Sequence, residues 1–244
     1  MPRFFVPTEN FCENTVKISG EDSFHVARAL RMAVGDLITV CDMRGGEHIC
    51  RLLKIRDEEC LCEIIESREG KTESPVSITL YMGYPKGDKL ELVIQKAVEL
   101  GAVRIVPFES SRCVKRPKAD KIDKQAARLS RIAEEASKQC GRGVVAEVAH
   151  PVSFSDAVSE ASQADVALFC YEGDGTRTVK EVLRERRGVK SISVMIGCEG
   201  GFSVSEAEEA RRAGMESVGL GPRILRCETA PMYALSAISY EFEL

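Results

Sequence analysis

The chain has 244 residues, 44% of them hydrophobic and 30% charged, with 34 Lys/Arg against 38 Asp/Glu and a formal net charge of −4. That length holds one large domain or two modest ones, and the composition is that of an ordinary globular chain. The balance excludes a globally basic nucleic-acid binder, and no run approaches the roughly 20 apolar residues of a membrane span.

In chain order, MPRFFVPTENF opens without a basic segment leading into a long apolar stretch, so no secretory signal is expected and the cytoplasm is the default compartment. RFFVP reads as a short strand, and FHVARALRM as a short helix closed by a turn at Gly35-Asp36. LITVCDM and HICRLLKI flank Arg44-Gly45-Gly46-Glu47, a hairpin signal, and ECLCEIIES follows as another strand. The order suits a small barrel with one helix. SREGKTESP is polar and ends in Pro75, which reads as a linker; the boundary is placed at 72, giving domains 1–72 and 73–244.

Beyond the linker the period changes. ITLYMGY is a strand, Asp88 is a candidate cap for the helix KLELVIQKAVEL, and Gly101 ends that helix. VRIVPF is a strand, and a long helix runs up to Cys140-Gly141. Then come strand VVAEVAH, helix SFSDAVSEA, strand DVALFCYE, helix TVKEVLRER, strand SISVMIG, helix SVSEAEEARRA, strand ESVGLG and helix PMYALSAISYEF. Strands alternating with helices predict an α/β domain with a mostly parallel, covered sheet. The last helix is apolar on most sides, so it is expected to be buried in the core or in a partner.

The ten cysteines are irregularly spaced, without a Cys-x-x-Cys, and His25, His48 and His150 stand far apart, so no metal site is expected. Cysteines inside apolar runs act as small buried hydrophobes. Between Arg112 and Arg142 ten Lys/Arg face four acids, a local excess of six positive charges. Such a patch either holds a polyanion or is a solvated helix face.

Three strands end in unusual loops: Cys170-Tyr171-Glu172-Gly173-Asp174-Gly175, Gly197-Cys198-Glu199-Gly200-Gly201, and Gly219-Leu220-Gly221-Pro222-Arg223-Ile224-Leu225-Arg226. Ligands in open α/β sheets sit beyond the carboxyl ends of strands. Neither the dinucleotide fingerprint nor the phosphate loop is present, and Glu199 would repel a pyrophosphate. Ser203 and Glu206 form a capping box. Arg223 and Arg226 either hold a substrate anion or brace the loop through Glu199 or Glu228.

IGCEGGFSVSE and LGPRILRCETA, together with RFFVP, HVARALRMAVGD, KGDKLELVIQKAVELG and PFESSRCV, resemble the 16S ribosomal RNA uridine-N3 methyltransferases (the RsmE family) of the SPOUT class. The resemblance spans nearly the whole chain. It implies an N-terminal PUA-like β-barrel for RNA and a C-terminal α/β domain closed by a trefoil knot. It also implies a homodimer without metal, acting on 16S rRNA, with S-adenosylmethionine as cofactor and the assembled small subunit as the expected substrate. The family pattern has Pro where Cys198 stands and Thr where Cys227 stands. Carried onto this chain, the cofactor residues are Tyr171, Gly197, Cys198, Glu199, Gly200, Leu220, Gly221, Ile224, Leu225, Arg226, Thr229 and Ala230. Arg226 would stabilise charge on the uracil, and Glu199 or Glu228 would take the N3 proton or orient Arg226. Arg3, Arg28, Arg31, Lys86, Arg112, Lys115, Arg116 and Arg142 would hold RNA phosphates. On the residues alone two rival classes stay open: a non-catalytic RNA-binding or ribosome-assembly protein, and a cysteine hydrolase built on Cys170 or Cys198.

Overall fold

A computed structural model describes residues 1–114, 122–173, 175–186 and 188–244. The chain divides into two compact units, Met1–Glu73 with Ser137–Val145, and Ser74–Ala136 with Ala146–Leu244.

The first unit is a six-stranded sheet built from β1 (Arg3–Phe5), β2 (Phe11–Cys12), β3 (Thr15–Ser19), β4 (Leu37–Cys41), β5 (Gly46–Ile55) and β6 (Glu59–Glu69). Its order is β1-β4-β5-β6-β3-β2, antiparallel except for the β1–β4 pair. Alternation decides which face is buried. Val16 and Ile18, Ile38 and Val40, Cys50 and Leu52, and Cys60 and Cys62 point into one core with Phe4, Val6 and Val26. Burial pushes the Cys50 and Cys62 thiols up to about 12, so they stay neutral and act as apolar filler. The β4–β5 hairpin turns where Asp42 Oδ1 accepts the N–H groups of Arg44 and Gly46, both at 2.8 Å, and Gly45 takes a φ of +100°. The expected helix begins earlier, as α1 (Glu21–Phe24), and widens into a π turn over His25–Ala29. It closes without a glycine: Met32 N–H reaches Val26 O, and Arg31 takes a φ of +50°.

Two arginines read as phosphate ligands have another task. Arg3 Nη1 donates to Glu47 Oε1 at 2.7 Å and to the Arg142 carbonyl at 3.1 Å. The Arg142 guanidinium, 3% exposed, donates through Nε to Glu73 Oε2 at 3.1 Å. Thr72 Oγ1 donates to Gly141 O and Gly143 N–H to Glu73 Oε1, so the returning segment is fastened inside this unit. Both guanidinium groups, expected to hold RNA phosphates, are engaged by carboxylates inside this unit.

The second unit is an all-parallel sheet of β7 (Ser77–Gly83), β8 (Ala102–Glu109), β9 (Glu147–Val148), β10 (Val152–Ser153), β11 (Val166–Cys170), β12 (Arg177–Thr178), β13 (Ser191–Ile196) and β14 (Glu216–Gly219). The order is β10-β8-β7-β13-β11-β14-β12, with β9 also pairing β8. All five residues of β11 are buried, the continuous apolar strand that a sheet covered on both faces requires. The helices are α2 (Lys89–Glu99), α3 (Ile122–Cys140), α4 (Phe154–Ala161), α5 (Val179–Glu185), α6 (Val204–Arg212) and α7 (Thr229–Phe242). Phe108, Phe154, Phe169 and Phe202 meet in one core, with the Phe169 and Phe202 rings 4.3 Å apart.

Thr178 and Ser203 form capping boxes with Glu181 and Glu206, whereas Asp88 stands at the cap position of α2 without a side-chain cap bond. Its φ of −98° and ψ of 11° depart from the extended geometry that aims a capping oxygen at the helix N–H groups. Helix α7 packs against α2, α5 and β13 and buries Ala234, Leu235 and Ile238. Tyr233 and Tyr240 stay exposed, so the burial expected on most sides covers only one face in the single chain. Gly83 lets β7 meet the loop that follows β13: a Cβ there would stand 2.6 Å from the Cys198 backbone nitrogen.

Burial alone would push the Glu47 carboxyl up, but hydrogen bonds and charge from Arg3 and Arg68 hold it below its ordinary value. A depressed carboxylate contributes stability above its unfolded pKa and loses it as pH falls through the folded pKa. Glu47→Gln is therefore expected to lose about 2–4 kcal/mol in urea unfolding at neutral pH. The gap from wild type should close on acidification below the usual carboxylate range. Gly83→Ala is expected to lose about 1–3 kcal/mol by the same measurement, because backbone must move to admit the methyl.

Candidate functional site

In the sheet β13, β11 and β14 are neighbours, so their carboxyl ends, Ile196, Cys170 and Gly219, emerge along one edge. The three loops close around a cavity of about 580 Å³. That is within the roughly 300–1,000 Å³ of small-molecule sites.

The middle loop is shaped by close backbone contact. Gly201 N–H donates to Cys198 O at 2.9 Å, and Gly201 takes a φ of +61°. A Cβ on Gly197 would stand 3.0 Å from the Gly201 backbone. Gly197, Cys198, Glu199 and Gly201 line the cavity. Gly200 does not: a Cβ on it would meet the Cβ of Arg112 at 2.9 Å, and Arg112 Nη1 donates to Gly200 O at 2.8 Å. Gly200 thus packs against Arg112 and lies off the cavity lining. Buried Cys198 faces Cys113 across the Ser110 hydroxyl, which lies 4.0 Å from the Cys198 sulfur and 3.3 Å from that of Cys113.

The first loop contributes Tyr171, whose N–H is held by Val218 O at 3.0 Å, and Glu172, which packs on Gly201. The third contributes Leu220, Gly221, Leu225 and Arg226, and Ala230 follows at the start of α7. Ile224 also lines the cavity, 92% exposed at its lip. Thr229 lies off the cavity lining; its N–H donates to Arg226 O at 2.8 Å and opens α7.

The electrostatics differ from the sequence reading in one respect. The cation that pairs Glu199 and Glu228 is Lys89, not Arg226. Lys89 Nζ lies 3.0 Å from Glu199 Oε1 and 3.4 Å from Glu228 Oε2, and Lys86 N–H donates to Glu199 Oε1 at 3.1 Å. Burial raises the Glu199 carboxyl, but its own backbone N–H, the Lys89 ammonium and the Lys86 N–H outweigh burial and hold it low. Glu228 is held low by its own backbone N–H, with help from the Cys227 thiol and Lys89. Lys89 is raised, chiefly by its hydrogen bond to Glu199. Both acids are carboxylates and Lys89 an ammonium at neutral pH. Among the described residues Arg223 and Arg226 make no ion pair and stand exposed at the rim.

Sequence reasoning gave Lys89, Thr176 and Phe202 no part in the site, although all three line the cavity. Asp88 holds the cap position of α2, and its neighbour Lys89 carries the charge that pairs with Glu199 and Glu228. Of the expected RNA ligands, Arg28 is paired with Asp57 at 2.6 Å, Arg31, Lys86 and Arg112 are exposed, and Lys115 and Arg116 lie outside the described residues. Within the basic segment Arg128 pairs with Glu91 and Arg131 with Glu135, which offsets part of its charge. Among the described residues no helix is long and apolar enough to cross a membrane, and no cluster of His, Cys, Asp and Glu could hold a metal ion.

Comparison with known proteins bears on this geometry. Residues 72–239 match an RNA methyltransferase domain and residues 18–66 an RNA methyltransferase PUA domain. Ribosomal RNA small subunit methyltransferase E of Bacillus subtilis is 36% identical over 251 aligned positions, covering 100% of this chain and 98% of that protein. The protein of the same name from Synechocystis is 30% identical, over 97% of this chain and 77% of its own. A crystal structure of the Neisseria gonorrhoeae ribosomal RNA small subunit methyltransferase E, bound to S-adenosyl methionine, superposes with a TM-score of 0.88 at 32% identity, covering 98% of this chain and 97% of that one. Two domain matches in the expected order and relatives similar along the full length lead to one conclusion: the chain belongs to the ribosomal RNA small subunit methyltransferase E family.

Proposed function

We propose that the chain is an S-adenosylmethionine-dependent methyltransferase that modifies N3 of a uridine in 16S ribosomal RNA. The observation that carries this reading is the cavity at three parallel strand ends, lined by backbone, apolar side chains and carboxylates rather than by a phosphate loop. These residues fit the cofactor, which has no phosphate and carries a cationic sulfonium. Leu220, Leu225, Ile196 and Ala230 offer apolar surface for an adenine, and the glycine-shaped turn from Gly197 to Gly201 offers main-chain donors and acceptors to its edge. Glu172 and Glu199 leave the pocket tolerant of positive charge. When bound, the cofactor supplies an electrophilic methyl group.

The chain's own contribution is then positioning and charge. Arg226, exposed at the rim and unpaired among the described residues, stabilises the negative charge that develops on uracil oxygen as N3 loses its proton. Glu199 and Glu228 are held ionised by their own backbone N–H groups with help from Lys89, and a carboxylate of lowered pKa is a weak base, so the pair suits alignment better than proton removal.

The same reading assigns RNA binding to residues 1–72 and catalysis to residues 73–244. Exposed Arg31, Lys86 and Arg112 hold phosphates of the small subunit. A homodimer would cover the Tyr233 and Tyr240 face of α7. The trefoil knot that the family resemblance implies belongs to the same reading. A substrate of this kind places the protein in the cytoplasm.

The test is transfer of a tritiated methyl group from S-adenosylmethionine to deproteinised 16S rRNA and to 30S particles, with the product base identified by mass spectrometry. Label at uracil N3 is expected. Arg226→Ala should lower kcat by about a hundredfold, with a smaller effect on cofactor affinity. A wild-type chain that labels neither substrate overturns the reading in favour of a non-catalytic RNA-binding protein.

A further inference from the structure

Three segments distant in sequence meet at one ammonium group. The first is the loop that enters α2, which supplies Lys86 and Lys89. The second is the turn after β13, which supplies Glu199; the third is the end of the loop after β14, which supplies Cys227 and Glu228. The second and third belong to two of the three loops around the cavity. Lys89 sits at the first position of α2, a helix that packs against α7, so its place is set by the core and not by the loops it touches.

From this arrangement, which rests on the methyltransferase reading, we propose that Lys89 is a positioning residue of the reaction. Its ammonium ties Glu199 to Glu228 and so holds the two ligand-binding loops in register. Without that cation two carboxylates gathered around one point beside the cavity are left unneutralised, and like charges at close range push their loops apart. The surrounding groups do not replace it. Lys86 offers Glu199 its backbone N–H, while its side chain is exposed. The Cys227 thiol, pushed up to about 12 by burial, stays neutral and donates to Glu228 at 3.3 Å. Arg223 and Arg226 stand at the rim and pair with neither acid among the described residues. Lys89 thereby acts on the cofactor site through the loops it restrains.

The experiment compares wild type, Lys89→Met, Lys89→Arg and the double variant Lys89→Met/Glu228→Gln. Titration calorimetry with S-adenosylmethionine from pH 4 to 8, thermal melting and methyl transfer to 30S particles are measured on each. Lys89→Met is expected to raise Kd by about tenfold, the equivalent of losing two partly exposed ion pairs. Its deficit relative to wild type should shrink as pH falls through the carboxylate range. Each carboxyl keeps its own backbone N–H but loses the help of the ammonium, so one protonates sooner as pH falls and the repulsion ends, as it does in the double variant. Lys89→Arg should bind as wild type does, and the double variant should regain most of the lost affinity because one of the repelling charges is gone. If Lys89→Met binds as tightly as wild type, or the double variant binds no better than Lys89→Met, the inference is overturned while the function stands. If wild type itself binds no S-adenosylmethionine, the function reading falls and takes the inference with it.

Discussion

Parallel strands all deliver their carboxyl ends to one edge of a sheet, and this constraint organises the second unit. Because β13, β11 and β14 are adjacent and parallel, three loops far apart in sequence emerge side by side. Adjacency alone would leave them as separate turns. The glycines let main chains approach where side chains would hold them apart. Gly83 meets Cys198, Gly197 meets Gly201, and Gly200 meets Arg112, each at a separation that a Cβ would violate. The cavity is what remains after those backbones have closed up.

Charge is distributed with similar economy. The acid that looked out of place in a glycine loop is satisfied by a main-chain N–H and a lysine from another element. This leaves the rim arginines available, and the pocket contains both anionic and cationic groups within a small volume. Such a surface suits a ligand that itself carries both signs and disfavours polyphosphates. In the first unit the opposite choice was made: Arg3 and Arg142 are consumed by Glu47 and Glu73. Their strength is spent on joining segments of chain, not on a ligand.

Much of the architecture was legible from periodicity. The strand and helix order of the second unit, the hairpin at Gly45 and the capping box at Ser203 follow from local rules that the structure obeys. The two-residue strands β10 and β12 left no signal, since a pair of residues has no period. The ligand loops were visible as glycine and arginine clusters at strand ends, but their internal partners were not. Pairing of Lys89 with Glu199 and Glu228 depends on how α2 is brought to the loops, which is a property of the tertiary fold. The same holds for Gly200, whose glycine is explained only by the side chain of Arg112. Burial of Arg142 was equally hidden, because a basic run reads as solvated until its partner carboxylate is known.

The return of Ser137–Val145 to the first unit has a consequence for biosynthesis. A chain is made from its N-terminus, and N-terminal domains generally fold while the rest is still being translated, at about 5–20 residues per second. Here Arg3 finds the Arg142 carbonyl, and Glu73 finds the Arg142 guanidinium, only after the ribosome has produced residue 142. The sheet and its core lie within residues 3–69, so only these fastenings wait while the strands and helices in between are synthesised.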